Sequence, residues 1–368
     1  MTSLWGALAK VPHARRLYST RRTTVDFSVA TVISQERGKP ERHHEILEQV
    51  VACERLGFDC YWFTEHHFEE YGRPCPELLA ATALAMTKRI DIGIAIVVLP
   101  WHNPIEVAEQ IATLDHLGQG RFRVGVGRGN QPHEFAGFGI PLTEANLRFE
   151  ESYTIINGLL TNERFSYDGQ FWQIPEIELV PKPFTKPLPQ FWQPAVSEAS
   201  IRKIAQKGIN GLIGPYLTPY EVLKERYFDV WHQAKSDFGS PDLRLAHNEV
   251  VHIAPTDEQA YAEAQDAVMW YVRKASNVWG KQNAAEATPD YAYLAPIIKQ
   301  FKQLTYDDIV ESHAIIGSPE TAIEKIKFFD RCGVEELILF AGMGPQLDQA
   351  KLMSSLELFG ERVIPAFK

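Results

Sequence analysis

Two adjacent histidines behind a carboxylate, Glu65-His66-His67, directly follow a short apolar run, Phe58 to Phe63. An imidazole that titrates near neutrality suits proton transfer or the stabilisation of an anion. It equally suits a hydrogen-bonded structural histidine. A metal fits less well, because the i, i+4 histidine spacing of HExxH is absent and neighbouring side chains of extended chain point apart. Arg128 is a second candidate, at the end of GRFRVGVGRG. An arginine between glycines suits a phosphate clamp. The GxGxG of Gly125, Gly127 and Gly129 is a weak phosphate-loop signal, since its spacing and its place late in the chain are wrong for a dinucleotide fold. Small residues also let side chains pack inside a barrel strand. Ser197 and Ser200 are the third candidates, at the start of a helix expected from about 198. Hydroxyls and unpaired N–H groups there make an anion site, or the serines simply cap the helix. Trp101, Phe135, Phe138 and Trp192 wall an apolar pocket or belong to the core.

These residues need a scaffold that brings strand ends together. Apolar runs of strand length alternate with amphipathic stretches along the whole chain. Strands are expected at 25–33, 58–63, 90–99, 122–127, 191–196, 209–213, 245–253 and 336–341. Helices are expected at 41–56, 76–88, 104–117, about 146–160, from 198, from 219, 257–274, 319–332 and 347–364. Asn103-Pro104 and Ser318-Pro319 mark helix starts, and Gly57 marks a helix end. Residues 165–180 read as an inserted hairpin around Asp168-Gly169. Residues 275–311 are polar and irregular, which suits a long lid loop. Eight alternating units favour a single (β/α)8 TIM-like barrel over residues 25–368, rather than an open sheet. Its site would lie on the loops after the strands: 64–75, 100–103, 128–145, 197–200, 214–218 and 275–311.

The net charge of −10 argues against nucleic acid or an anionic membrane surface as the main partner. No apolar run approaches the ~18 residues of a membrane span. The 4 cysteines show no CxxC pairing and read as reduced thiols of an intracellular, cytoplasmic protein. Residues 1–24 differ in kind. They carry Lys10, Arg15, Arg16, Arg21 and Arg22 with no acid, a charge of +5 that leaves −15 on the remainder. They read either as a flexible N-terminal extension or as a transit peptide for the mitochondrial matrix.

Taken in order, FDxxWxxEHHF, IGxAxVVLPxxxP, LDxxxxGRFRxGxxRG, the serine-bearing turn after Phe191–Val196, GSPExxIxxI and GVxxLxLF resemble the bacterial luciferase-like flavin monooxygenase family over about residues 25–368. The resemblance implies a TIM-like barrel that takes reduced FMN from a separate flavin reductase, with no nicotinamide site of its own. Reaction with O2 through a C4a-peroxyflavin would then oxygenate an apolar, aldehyde- or ketone-like organic substrate. His66 falls on the family's catalytic histidine and Arg128 on the arginine that holds the FMN phosphate. Ser197 and Ser200 fall on hydroxyl positions that assist it. Ala95-Ile96 falls on a non-proline cis peptide beside the isoalloxazine. Glu65 and Gly127 complete the implied flavin-binding set. Residues 275–311 fall on the mobile loop that shields the flavin from water. Gly127 replaces the reactive cysteine of the luciferase catalytic subunit, which implies plain monooxygenation rather than light emission. Glu134 keeps the acidic residue of the loop after the fourth strand. A homodimer is implied, through the helices after strands 1 to 4. Two alternatives belong beside this one. Some relatives use the deazaflavin F420 for hydride transfer, but more often read DHF where this chain reads EHHF. Others bind flavin without catalysis and are typically truncated.

Overall fold

The computed structural model describes residues 25–31, 42–70, 74–215, 217–280, 291, 294–342 and 347–368. The strands are β1 (Asp26–Thr31), β2 (Cys60–Phe63), β3 (Asp91–Val98), β4 (Phe122–Gly127), β5 (Phe165–Asp168), β6 (Gln173–Ile177), β7 (Phe191–Ala195), β8 (Asn210–Ile213), β9 (Leu245–Ile253), β10 (Ile315–Gly317) and β11 (Glu336–Ala341). Every residue of β1, β2, β4 and β11 is buried, as strands must be when helices cover one face and a filled interior the other. Parallel pairing runs β11-β1-β2-β3-β4-β7-β8, and β9 joins β8 to β11, closing an eight-stranded barrel. β5 and β6 form the expected antiparallel hairpin outside it.

The helices are α1 (His43–Leu56), α2 (Pro76–Met86), α3 (Pro104–Gly118), α4 (Pro132–Gly137), α5 (Ala145–Thr161), α6 (Glu198–Gln206), α7 (Tyr220–Leu223), α8 (Asp229–Asp237), α9 (Asp257–Gly280), α10 (Leu294–Gln303), α11 (Tyr306–Ser312), α12 (Pro319–Arg331) and α13 (Gln349–Leu358). Local chemistry sets several ends. Asn103 Oδ1 accepts the Ile105 N–H ahead of Pro104, Ser318 Oγ accepts the Thr321 N–H ahead of Pro319, and Gly57 stops α1 at φ 86°.

The irregular stretch expected at 275–311 is largely helical where it is described. α9 continues to Gly280, and α10 and α11 follow. In α10, Ile297, Ile298 and Phe301 share one side of the helix, which puts Phe301 in the core although the average composition is polar. Thr305 and Asp308 then form a capping box that starts α11. Residues 281–290 and 292–293 of that stretch lie outside the described residues, as do residues 1–24 and the last two of the expected first strand. β10, three residues paired with β9, was not expected.

One end of the barrel interior is held by charge. The Arg123 guanidinium lies 2.6 Å from Glu336 and 2.8 Å from Asp91, and 5.9 Å from the ring centres of both Trp62 and Trp192. Glu336 also accepts from Ser28 Oγ at 2.5 Å and Trp62 Nε1 at 3.0 Å. Burial pushes its carboxyl up, but Arg123 and Arg244 bring it below the ordinary carboxylate range. Glu336 opens β11 and Arg123 is the second residue of β4, so this cluster sits at the N-terminal face, which in such barrels serves stability.

Candidate active site

At the opposite end, β2 stops at Phe63 and the chain emerges as Thr64-Glu65-His66-His67. Glu65 is 3% exposed. Its carboxylate accepts from Val98 N at 2.7 Å and lies 2.7 Å from His102 Nε2 and 2.9 Å from His67 Nε2. Burial alone would raise this acid, but those hydrogen bonds and the His102 charge bring it down to about 2. Burial would lower His102 in turn, yet Glu65 raises it above the ordinary histidine value. Glu65 is thus an ionised tie between the ends of β2 and β3.

His66 turns to a different carboxylate, as alternation along extended chain requires. Its Nδ1 lies 3.2 Å from Glu134 Oε1 and 3.0 Å from Gln131 Nε2. Glu134 is buried and its Oε1 also accepts the His67 N–H at 2.8 Å, so it is fixed in place. Glu134 Oε1 can only accept from Nδ1 and the Gln131 amide nitrogen can only donate to it, so the two contacts ask opposite tautomers of the ring while both hold its orientation. His66 remains 29% exposed, toward the cavity described below.

β3 carries an irregularity beside these groups. Ile94 pairs with Val124 and Val97 with Val126, so Ala95 and Ile96 together oppose Gly125. The Ala95-Ile96 peptide is cis, as the resemblance implied. A Cβ on Gly125 would stand 2.2 Å from the Ile94 carbonyl oxygen, and one on Gly127 would stand 2.0 Å from Ile96 Cδ1. Gly125 is required by the close approach of two strand backbones, and Gly127 is favoured by its contact with the Ile96 side chain, the packing reading of GxGxG rather than a phosphate loop.

Arg128 leaves β4 at the same end. Its guanidinium lies 4.5 Å from the centre of the Tyr291 ring. Ser197 caps α6: its Oγ accepts the Ser200 N–H, and Ser200 Oγ accepts the Ser197 N–H at 3.1 Å. The serines therefore do cap the helix. The first-turn N–H groups without intrahelical partners still face the helix start as a site for an anion.

One cavity of about 650 Å³ touches the eight catalytic and flavin-binding candidates, Glu65, His66, Ala95, Ile96, Gly127, Arg128, Ser197 and Ser200, whereas the candidate wall aromatics Trp101, Phe135, Phe138 and Trp192 do not line it. Trp62, Tyr271, Ile297, Phe301, Ile338 and Phe340 give the same cavity an apolar lining. Three polar atoms lining the cavity, Thr64 Oγ1, Gln193 Oε1 and Asn248 Oδ1, are buried with no hydrogen-bond partner among the described residues. Unsatisfied buried polar atoms are costly and call for a ligand or water. A phosphorylated flavin fits this lining: an anion for Arg128 and the start of α6, and a polar-edged ring for the orphaned groups beside the β3 bulge. Among the described residues no group of three or more His, Cys, Asp or Glu side chains is arranged to hold a metal ion.

Sequence reasoning missed His102, Gln131, Gln193, Asn248 and Tyr291 as parts of this site. Gln193 carried a usable signal, a polar residue inside an otherwise apolar barrel strand, whereas Asn248 stands among His247, Glu249 and His252 in β9. The others come from loops that only the fold brings near.

The sequence profile of the luciferase-like monooxygenase family matches residues 23–336. The chain is 25% identical to the oxygenase component of a flavin-dependent trigonelline monooxygenase from Acinetobacter baylyi, over 91% of this chain and 92% of that protein. Among solved structures it superposes on the oxygenating constituent of 3,6-diketocamphane monooxygenase of Pseudomonas putida, a type II Baeyer-Villiger enzyme in complex with FMN, with TM-score 0.78. That match has 22% identity and covers 94% of this chain and 99% of the other. A coenzyme F420 dependent tetrahydromethanopterin reductase from Methanopyrus kandleri gives TM-score 0.70 at 18% identity, over 94% and 100%. At these identities the structural likenesses are likenesses of fold.

Proposed function

The chain belongs to the luciferase-like monooxygenase family, and from that premise we propose that it is the oxygenase component of a two-component flavin-dependent monooxygenase. It takes reduced FMN from a separate flavin reductase, admits O2 and oxygenates an apolar, carbonyl-bearing organic substrate. One observation carries this reading. Arg128 with the start of α6, the His66 imidazole beside Glu134, and several apolar side chains share a single cavity at the C-terminal end of the barrel strands.

Arg128 and the start of α6, with Ser197 and Ser200, would hold the FMN phosphate. Thr64, Gln193 and Asn248 would meet the polar edge of the ring, against the Ala95-Ile96 bulge and Gly127. Reduced flavin, when bound, supplies the two electrons with which one oxygen atom of O2 enters the substrate and the other leaves as water. His66 exchanges a proton through its imidazole, while Glu134 and Gln131 hold the ring in one orientation. The apolar wall under α9 and α10 receives the substrate and excludes bulk water. Support for a separate reductase comes from the trigonelline enzyme, itself described as an oxygenase component. Exposed Leu78 and Met86 on α2 and Leu117 on α3 support a homodimer through that face.

The test pairs binding with turnover. His66→Ala should bind FMN as the wild type does but lose about 10²–10⁴-fold in oxygenation, the usual worth of a positioned proton-transfer group. Oxygenation at the wild-type rate would remove His66 from the chemistry. Anaerobic turnover with reduced F420, and none with reduced FMN and O2, would replace oxygenation with hydride transfer.

A further inference from the structure

Tyr291 is 3% exposed and packs with Phe135 and Ala145 in a small apolar cluster that Trp101, Ile140, Leu142 and Ile298 complete. It comes from the connection between α9 and α10, yet both its functional groups engage the Arg128-Gly129 pair. Its ring lies 4.5 Å from the Arg128 guanidinium carbon, and its hydroxyl donates to the Gly129 carbonyl at 3.0 Å. Gly129 has φ 74°, and a Cβ there would stand 2.7 Å from Val98 Cγ1. The backbone behind Arg128 is thereby held by its left-handed turn, its packing and the tyrosine hydroxyl.

We infer that Tyr291 is a positioning residue for the anion anchor: its ring face holds the Arg128 guanidinium ready for an oxyanion. An arginine side chain is rich in rotamers, and fixing it costs affinity unless something fixes it beforehand. An aromatic face attracts the guanidinium through its quadrupole and uses none of the N–H donors that a phosphate needs. The buried cluster keeps the ring from following the guanidinium. Tyr291 thus contributes to selection of a phosphorylated over an unphosphorylated cofactor without touching the ligand. This rests on the reading of Arg128 as the FMN phosphate anchor.

FMN and riboflavin differ by that phosphate, so their affinities for the full chain separate positioning of Arg128 from general folding. The wild type should prefer FMN. Tyr291→Leu, which fills the space without a π face, should reduce the preference about ten-fold, within the range of a partly desolvated cation–π contact, at unchanged riboflavin affinity. Tyr291→Phe, which keeps the face and loses the hydroxyl, should retain the preference to within about three-fold. Should the leucine variant not fold, Tyr291→Met serves the same purpose. A leucine or methionine variant with the full preference overturns the inference. So does a parallel loss of FMN and riboflavin affinity, which marks a merely structural residue. A wild type that does not distinguish the two compounds overturns the Arg128 reading, and this inference with it.

Discussion

Replacing Glu65 by glutamine keeps the shape of the side chain and removes its charge, so it isolates what the buried carboxylate does. Glu65 holds one backbone N–H of the β3 end and faces two histidines, and its acid is lowered from 4.5 to about 2. At about 1.36 kcal/mol per unit, a fall of about 2.5 units is worth about 3 kcal/mol of folding stability at neutral pH. The sign follows from the direction. A carboxyl lowered by folding stabilises above its unfolded value, and the contribution is lost as pH falls toward the folded value. The gap between wild type and Glu65→Gln should therefore shrink from about 3 kcal/mol near pH 7 to about half of that near pH 3. His102, raised by the same carboxylate, acts on the other side. Its contribution is present below the ordinary histidine range and fades as pH rises through the folded value. Denaturant titrations over a pH series, followed by the fluorescence of buried Trp62 and Trp192, measure the gap directly. A gap that stays constant from neutral pH to about pH 3, or grows as pH falls, would refute an ionised, hydrogen-bonded Glu65.

Three further substitutions probe the rest of the barrel. Arg128→Gln should weaken FMN binding about ten- to a hundred-fold and leave riboflavin binding unchanged, as expected for one charged hydrogen-bonding partner of a phosphate, read by fluorescence titration. Gly125→Ala should cost about 3 kcal/mol or more, because its Cβ meets a backbone carbonyl at 2.2 Å. Gly127→Ala should cost only about 1 kcal/mol, since the obstacle is the terminal methyl of Ile96, which can rotate; paired melting curves give the ranking. Arg123→Met should destabilise by about 3–5 kcal/mol by leaving the buried Glu336 without its closest cation, while FMN affinity of the folded fraction stays unchanged.

Much of the barrel was legible because buried parallel strands are rich in apolar and β-branched residues over a strand's length. β9 and β11 match their expected limits to the residue, and the hairpin follows from Asp168-Gly169. The failures have physical causes. β10 has three residues, too few for any period, and is made a strand by the edge of β9 that it joins. The region 275–311 was judged by its average polarity, whereas α10 and α11 depend on one apolar face and one capping box. At the site, the residues at strand ends were readable, because the fold class alone decides where strand ends go. Their partners were not. Glu134 comes to His66 from α4, His102 reaches Glu65 from beyond β3, and Tyr291 reaches Arg128 from beyond α9. Each pairing is a consequence of closure.

The glycines of VGVGRG show what closure decides. From sequence they allowed two meanings, an anion-binding loop or tight packing. Gly125 and Gly127 precede Arg128 inside β4, opposite the extra residue of β3, and either Cβ would collide with that bulge. They are therefore spent on strand contact and do not offer a ring of backbone N–H groups. A phosphate bound at this end must then be held by side chain and helix together, Arg128 on one side and the start of α6 on the other. A backbone nest would tolerate any side chain at position 128, but a side-chain anchor depends on how well that one guanidinium is held. The same crowding that removes the glycines from anion binding makes the support of Arg128 by Tyr291 matter to affinity.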